Sequence, residues 1–171
     1  MIKKPLNEEY PDYYHAYISM VSEGSLKEIL INQLKELTVL LSDVQETQAN
    51  YRYADGKWTL KEVVGHMMDT ERIMSYRLLR IARGDKTPLA GFNEELFVEG
   101  ASFHTRSLSD LIEEFIGVRH STVALVRGLA EEDWSRSGFA NDTEITVRAI
   151  AYIIAGHELH HAKIIKEKYL V

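Results

Sequence analysis

Thr59-Leu60-Lys61-Glu62-Val63-Val64-Gly65-His66-Met67 opens a segment that closes at Ile81-Ala82-Arg83-Gly84, and the reading of this segment decides the fold. Thr59 and Glu62 form a capping box, in which hydroxyl and carboxylate each take an orphan backbone donor of the first turn. Leu60, Val63/Val64, Met67, Met74, Leu78 and Ile81 then recur at helical spacing, and Gly84 ends the run. The segment is an amphipathic helix from Thr59 to about Arg83, and it must bury its apolar face against other elements.

Upstream, Ser25 to about Glu46 repeats the device. Ser25-Leu26-Lys27-Glu28 is a second capping box, and Leu26, Ile29/Leu30, Gln33/Leu34, Leu37 and Leu40/Leu41 make the stripe. Downstream, a third helix starts near Ser107-Leu108-Ser109-Asp110 and runs to about Leu129, with Leu111/Ile112, Phe115, Val118 and Leu125 inward. Thr146 caps a fourth, which lasts to about Lys168 and carries Val147, Ile150, Ile153/Ile154, Ile164 and Ile165. No segment reads as a strand. Helices of roughly 22–25 residues are about 33–38 Å long, matched as a bundle requires.

The links set the order. About 12 residues join the first two helices and about 16 the last two, whereas residues 84–106 give a 23-residue link. A link that long can travel the length of the bundle, so the second and third helices can run parallel. The expected fold is an all-α four-helix bundle, up-down-down-up, with the 84–106 crossover packing through Leu89, Phe92, Leu96 and Phe97. Residues 1–24, with Tyr10, Tyr13, Tyr14 and Tyr17, form an ordered arm, and residues 1–171 make a single domain.

Composition excludes several classes. The 171 residues are 45% hydrophobic, enough for a core, and carry a formal charge of −6, which argues against a general nucleic-acid binder. There is no cysteine, hence no disulfide, thiolate metal site or cysteine nucleophile. Met1-Ile2-Lys3-Lys4-Pro5-Leu6-Asn7-Glu8-Glu9 turns acidic before a signal peptide could form, and the apolar run from Ala149 to Ala155 is too short to span a bilayer. A cytoplasmic protein without a membrane span is expected.

Three of the seven histidines fall in Gly156-His157-Glu158-Leu159-His160-His161, which matches the H-E-x-x-H pattern of zinc proteases. Residues i and i+4 stand one above the other on a helix, so two imidazoles so placed can share one ion. At 100° per residue, His157 and His161 lie within about 20–30° of the centre of the apolar stripe, whereas His160 and Glu158 fall on opposite flanks, roughly 80° away. An inward histidine is otherwise a hydrogen-bonded core residue, and both readings stand at this point. The chain offers no downstream third ligand of the protease kind, so a third must come from another helix. His66 is the best placed by context, although it sits roughly 100° off its own stripe. Glu71 falls inside that stripe, where a carboxylate needs an arginine across the bundle or a polar cavity. His15, His104 and His120 have no comparable context.

Together these residues resemble a family. Tyr13-Tyr14-His15-Ala16-Tyr17-Ile18, Arg52-Tyr53-Ala54-Asp55-Gly56-Lys57-Trp58-Thr59, Gly65-His66-Met67-Met68-Asp69-Thr70-Glu71-Arg72, Arg83-Gly84-Asp85, Thr146-Val147-Arg148-Ala149 and the histidine string follow the order of the DinB-like superfamily, in its YfiT-like branch named for metal-dependent hydrolysis. The resemblance covers nearly the whole chain. It implies an up-down-down-up bundle, usually dimeric, with one divalent ion (zinc or nickel) held by three histidines, here His66, His157 and His161. Three neutral imidazoles leave coordination positions open, and zinc would lower the pKa of a bound water to about 7. Nickel generally binds such nitrogen sites more tightly than zinc. Relatives that transfer a low-molecular-weight thiol such as bacillithiol or mycothiol imply an alternative to hydrolysis of a small molecule, and a non-catalytic metal-binding module is a third. Glu158 and Asp69 are the carboxylates expected to act as general base or to hold the metal-binding imidazoles.

Overall fold

The computed structural model describes residues 2–170. Seven α-helices appear among them: α1 (His15–Met20), α2 (Leu26–Leu41), α3 (Glu46–Ala49), α4 (Leu60–Ala82), α5 (Glu94–Ala101), α6 (Leu108–Arg127) and α7 (Val147–Ile164). A short antiparallel hairpin, β1 (Ser137–Ala140) and β2 (Thr143–Thr146), precedes α7.

Capping explains most of the helix starts. Thr59 Oγ1 accepts from Glu62 N at 3.2 Å while Glu62 Oε2 accepts from Thr59 N at 2.7 Å, so the expected box forms. Ser107 and Thr146 cap α6 and α7 through Asp110 N and Ala149 N. Ser25 departs from expectation: it occupies the N-cap position of α2, but its hydroxyl takes no capping bond. The first helix also ends early, at Leu41, and Glu46 belongs to the separate turn of α3.

The long helices α2, α4, α6 and α7 make the bundle. α4 packs on α6 and α7, and α2 packs on the same two, so the diagonal pairs are α2 with α4 and α6 with α7. Glu71 and Arg119, near the middle of α4 and α6, are bonded to one another, and the helix starts show that the two run parallel. Glu46 holds Lys61 Nζ at 2.6 Å and Leu108 N at 2.7 Å, tying the two helix starts together. Tyr169 OH donates to Trp58 O at 2.6 Å, which sets the end of the α7 segment beside the start of α4, antiparallel. The order is up-down-down-up.

Three details correct the sequence reading. The link before α7 holds the β1–β2 hairpin, closed by Asn141-Asp142, both at positive φ, and extended by a bridge from Leu89 to Ala140. In the crossover Leu89 is buried, but Leu96 and Phe97 are 63% and 44% exposed, and Val98 and Phe103 pack inward instead. In α6 the buried line is Leu111, Phe115, Arg119, Thr122 and Val126, so Val118 and Leu125 stand beside the core rather than in it.

The core has two apolar halves. One gathers Leu30, Met74, Leu78, Ile81, Val126, Ile150 and Ile153, and the other Leu34, Leu37, Leu60, Val63, Met67, Leu111 and Phe115. Between them lies a buried polar waist of Gln33, His66, Glu71, Arg119, His157, Glu158 and His161. The arm closes over α7: Tyr10, Ile18 and Val21 are buried, Tyr13 is exposed, and Glu9 pairs with Arg148. Gly156 permits the approach, because a methyl there would overlap the backbone of Tyr17.

Candidate metal centre

The waist owes its polarity to four helices, of which α2 supplies Gln33. α4 supplies His66 and Glu71, α6 supplies Arg119, and α7 supplies His157, Glu158 and His161. His157 and His161 face α4 one turn apart, as their spacing requires. His66 reaches them although it lies off the apolar stripe of α4, because the crossover buries a second face of that helix. Phe103 packs so tightly on Gly65 that a side chain there would strike its ring. Trp58 lies over His66, ring centroids 4.7 Å apart.

His66 Nε2 stands 3.0 Å from His157 Nε2, and His161 Nε2 stands 3.1 Å from the same atom. One ligand atom from each of the three residues falls within 4.8 Å of the others. All three residues are more than nine-tenths buried. Burial, reinforced by the charge of His160, pushes the His66 imidazole down to about 4. Burial and the neighbouring His66 push His161 down to about 3, and His157 is lowered by burial, then by His161 and His66. At neutral pH the three are uncharged imidazoles, the form that binds metals.

The hydrogen-bonding arithmetic tests whether an ion fits. His157 Nε2 has one hydrogen or one lone pair to offer, yet two imidazole nitrogens face it at 3.0 and 3.1 Å. A cation among them takes the lone pair of all three. Metal–nitrogen bonds of about 2.0–2.1 Å bring ligating nitrogens to roughly 3.0–3.4 Å of one another, so the spacing fits. The donors are three imidazole nitrogens, a set that suits zinc, nickel and their neighbours rather than calcium or magnesium.

The carboxylates are placed otherwise than expected. Glu158 is 3% exposed rather than on a flank, because α6 delivers Arg119 to meet it. Arg119, fully buried, donates to Glu71 from Nε at 2.9 Å and Nη2 at 2.7 Å, lies 2.5 Å from Glu158 Oε2, and caps Leu30 O from Nη1 at 3.1 Å. Glu71 therefore has its arginine across the bundle. Burial pushes the Glu158 carboxyl up to about 7, against the pull of Arg119. Asp69 pairs with Arg72 at 3.3 Å, half-buried, with its carboxyl raised by burial. Neither carboxylate bonds a histidine of the cluster. The Nδ1 of His66 instead has Thr70 Oγ1 at 3.5 Å, and the Nδ1 of His161 is buried with no partner. His160 stands aside, half-buried, with its ring edge-on to Tyr17. His15, His104 and His120 are exposed and apart from the waist.

Arg119 is the residue the sequence reading missed. Its signal was present, since Leu111, Phe115, Arg119, Thr122 and Val126 recur at helical spacing and put an arginine on an inward line.

The DinB superfamily profile matches residues 30–165. YfiT of Bacillus subtilis (strain 168), provisionally named a metal-dependent hydrolase, is 25% identical over 138 residues, 79% of this chain and 75% of its own length. OB0413 of Oceanobacillus iheyensis bears the same provisional name and is 29% identical over 142 residues, 81% of this chain and 79% of its own. Among solved structures, that of Bacillus subtilis YfiT, described as an unusual four-helix bundle, superposes with a TM-score of 0.76 at 21% identity, covering 96% of this chain and 90% of that one. A mycothiol-dependent maleylpyruvate isomerase follows with a TM-score of 0.68 at 13% identity, covering 85% and 61%. Both structural likenesses are of fold. No helix among the described residues is long and apolar enough to cross a membrane.

Proposed function

The chain belongs to the YfiT-like branch of the DinB superfamily, and on that premise we propose that it is a metal-dependent enzyme acting on a small molecule, with one divalent ion held by His66, His157 and His161. The observation that carries this reading is the convergence of three buried, neutral imidazole nitrogens, with their contacts of 3.0 and 3.1 Å. A divalent ion so held supplies Lewis acidity and makes a coordinated donor easier to deprotonate. The chain's own residues do the rest. The polar waist fixes the imidazoles, the two apolar halves exclude water from behind them, and Trp58 and Tyr17 wall the ring faces. Glu158 is the proposed proton acceptor, since a carboxyl near 7 suits a general base at neutral pH. Asp69 is the second carboxylate in this role.

Hydrolysis is the reaction favoured by the names of the relatives. Transfer of a low-molecular-weight thiol is the second reading, favoured by the shared fold of the mycothiol-dependent isomerase. A non-catalytic metal module would keep the histidines and show neither activity. Elemental analysis of untagged protein should find about one zinc or nickel per chain, and steady-state screens with and without added thiol then separate the three. Less than a tenth of an equivalent, with no uptake on titration, overturns the reading. A cytoplasmic homodimer belongs to the same proposal, since Tyr76, Leu79, Leu96 and Phe97 expose large apolar surface. Sedimentation at micromolar concentration should give a species about twice 19.6 kDa.

A further inference from the structure

Beside the histidines, a cavity of about 200 Å³ opens between the α4 start and the end of the α7 segment, with Tyr53, Lys57, Trp58, Glu95, His161 and Tyr169 around it. Its walls are held before any guest arrives. Arg52 donates from Nη1 to Lys57 O at 2.8 Å and from Nη2 to Glu62 Oε1 at 3.2 Å. Tyr169 OH binds Trp58 O at 2.6 Å, and the Trp58 indole donates to Glu95 Oε2 at 3.1 Å. Tyr53 and Tyr169 meet edge to face at 5.2 Å.

Two groups in this cavity lack partners. His161, at its inner end, is 8% exposed, and its Nδ1 is bonded to nothing among the described residues. With Nε2 turned to the other histidines as an acceptor, Nδ1 carries the hydrogen, so the missing partner is an acceptor oxygen. Lys57 lines the same space, and no carboxylate among the described residues pairs with it, while the only carboxylate lining the cavity, Glu95, already receives the indole. The neighbouring guanidinium, Arg52, is spent on Glu62 and Lys57 O. A single ammonium binds an anion as a point charge, and the aromatic walls of Tyr53, Trp58 and Tyr169 beside it favour an organic carboxylate with an apolar body over a bare phosphate.

We propose that this cavity seats the substrate, and that its guest is a small carboxylate with a flat apolar body, the carboxylate on Lys57 and the body among Tyr53, Trp58 and Tyr169. The inference rests on the three histidines being the reacting end, and it makes Lys57 a specificity-determining residue.

Trp58 gives a readout independent of turnover, because the chain has two tryptophans and the other, Trp134, lies among the opposite apolar half. Wild-type protein treated with chelator is titrated with phenylacetate, phenylacetamide and phenethylamine while its fluorescence is followed. Phenylacetate should shift the emission and bind tightest of the three. Lys57→Met should weaken phenylacetate about fivefold, the scale of a partly exposed ion pair, and leave the amide unchanged. Lys57→Arg should restore it, and Trp58→Phe should abolish the shift. The proposal is overturned if amide or amine binds as tightly as phenylacetate, if Lys57→Met binds it as well as wild type, or if the shift survives in Trp58→Phe. Zinc calorimetry on the same proteins separates the two ideas. Zinc uptake without Lys57-dependent phenylacetate binding sinks the carboxylate seat alone. The converse sinks the metal reading alone.

Discussion

Replacing Arg119 by methionine removes the one cation of the waist and leaves Glu71 and Glu158, each with a side chain 4% exposed, facing one another in the core. Three hydrogen bonds to Glu71, the contact to Glu158 and the cap on Leu30 O vanish together. Breaking a buried ion pair from one side costs about 3–5 kcal/mol, because the surviving charge is stranded. For a chain of this length about 2–4 °C is lost per kcal/mol, so the melting temperature should fall by roughly 6–20 °C. Circular dichroism melts at pH 7.5 and 5.5 test the cause as well as the size. Glu158, whose carboxyl burial already holds above the unfolded value, loses the opposing pull of Arg119 in the variant, so its penalty is greatest above the folded pKa and is relieved as pH falls through it. The gap between Arg119→Met and wild type should therefore narrow at pH 5.5. A variant that also carries Glu71→Leu and Glu158→Leu should recover most of the loss. A drop under 2 °C at pH 7.5, or a gap that widens in acid, refutes the account of the waist.

Other expectations follow from the same geometry. His157→Ala and His161→Ala should each lose the metal measured by elemental analysis, while His160→Ala keeps it; the reverse outcome would mean that the helix phase is wrong. Gly156→Ala should displace the arm and cost about 1–3 kcal/mol in urea unfolding, because the new methyl meets backbone at Tyr17 rather than a movable side chain. In metal-free protein, His66 titrates near 4 and His161 near 3 against an ordinary 6.5, so between about pH 6.5 and 4 the unfolded chain binds more protons. Stability present above pH 6.5 should drain in acid by about 1.4 kcal/mol per pH unit for each such histidine. Glu158, raised to about 7, and Asp69 and Glu94, raised by burial, oppose this as their burden lifts in acid, but four lowered imidazoles, of His66, His157, His160 and His161, stand against them. Urea midpoints at pH 7, 6 and 5 should fall in order, and a flat series rejects the buried neutral histidines.

Much of this was legible in the chain because helical spacing records burial directly. The α4 stripe from Leu60 to Ile81 is buried as read, and the length of the 84–106 link gave the parallel pair. Periodicity fails where a helix is covered on two sides. His66 and Gly65 lie off the stripe yet are buried, because Phe103 and Trp58 come from segments whose position no local pattern encodes. Glu158 was misplaced for the same reason, since its partner arrives from α6, more than thirty residues away in sequence. Leu96 and Phe97 mislead in the other direction: their size predicts burial, but α5 is too short to turn every large residue inward, and Val98 takes the inner place. The β1–β2 hairpin is short and carries Gly138, so it leaves little alternation to read.

The diagonal placing of α2 against α4 and of α6 against α7 also bears on how the protein comes into being. α2 and α4 emerge from the ribosome in succession, but each packs chiefly on α6 and α7, so these two cannot zip up into a hairpin and must wait for α6. The last long helix closes both apolar halves at once and brings two of the three histidines with it. Until α7 has been made, only one histidine of the cluster is present, so on the proposed metal reading an ion is captured only after α7 has folded against α4.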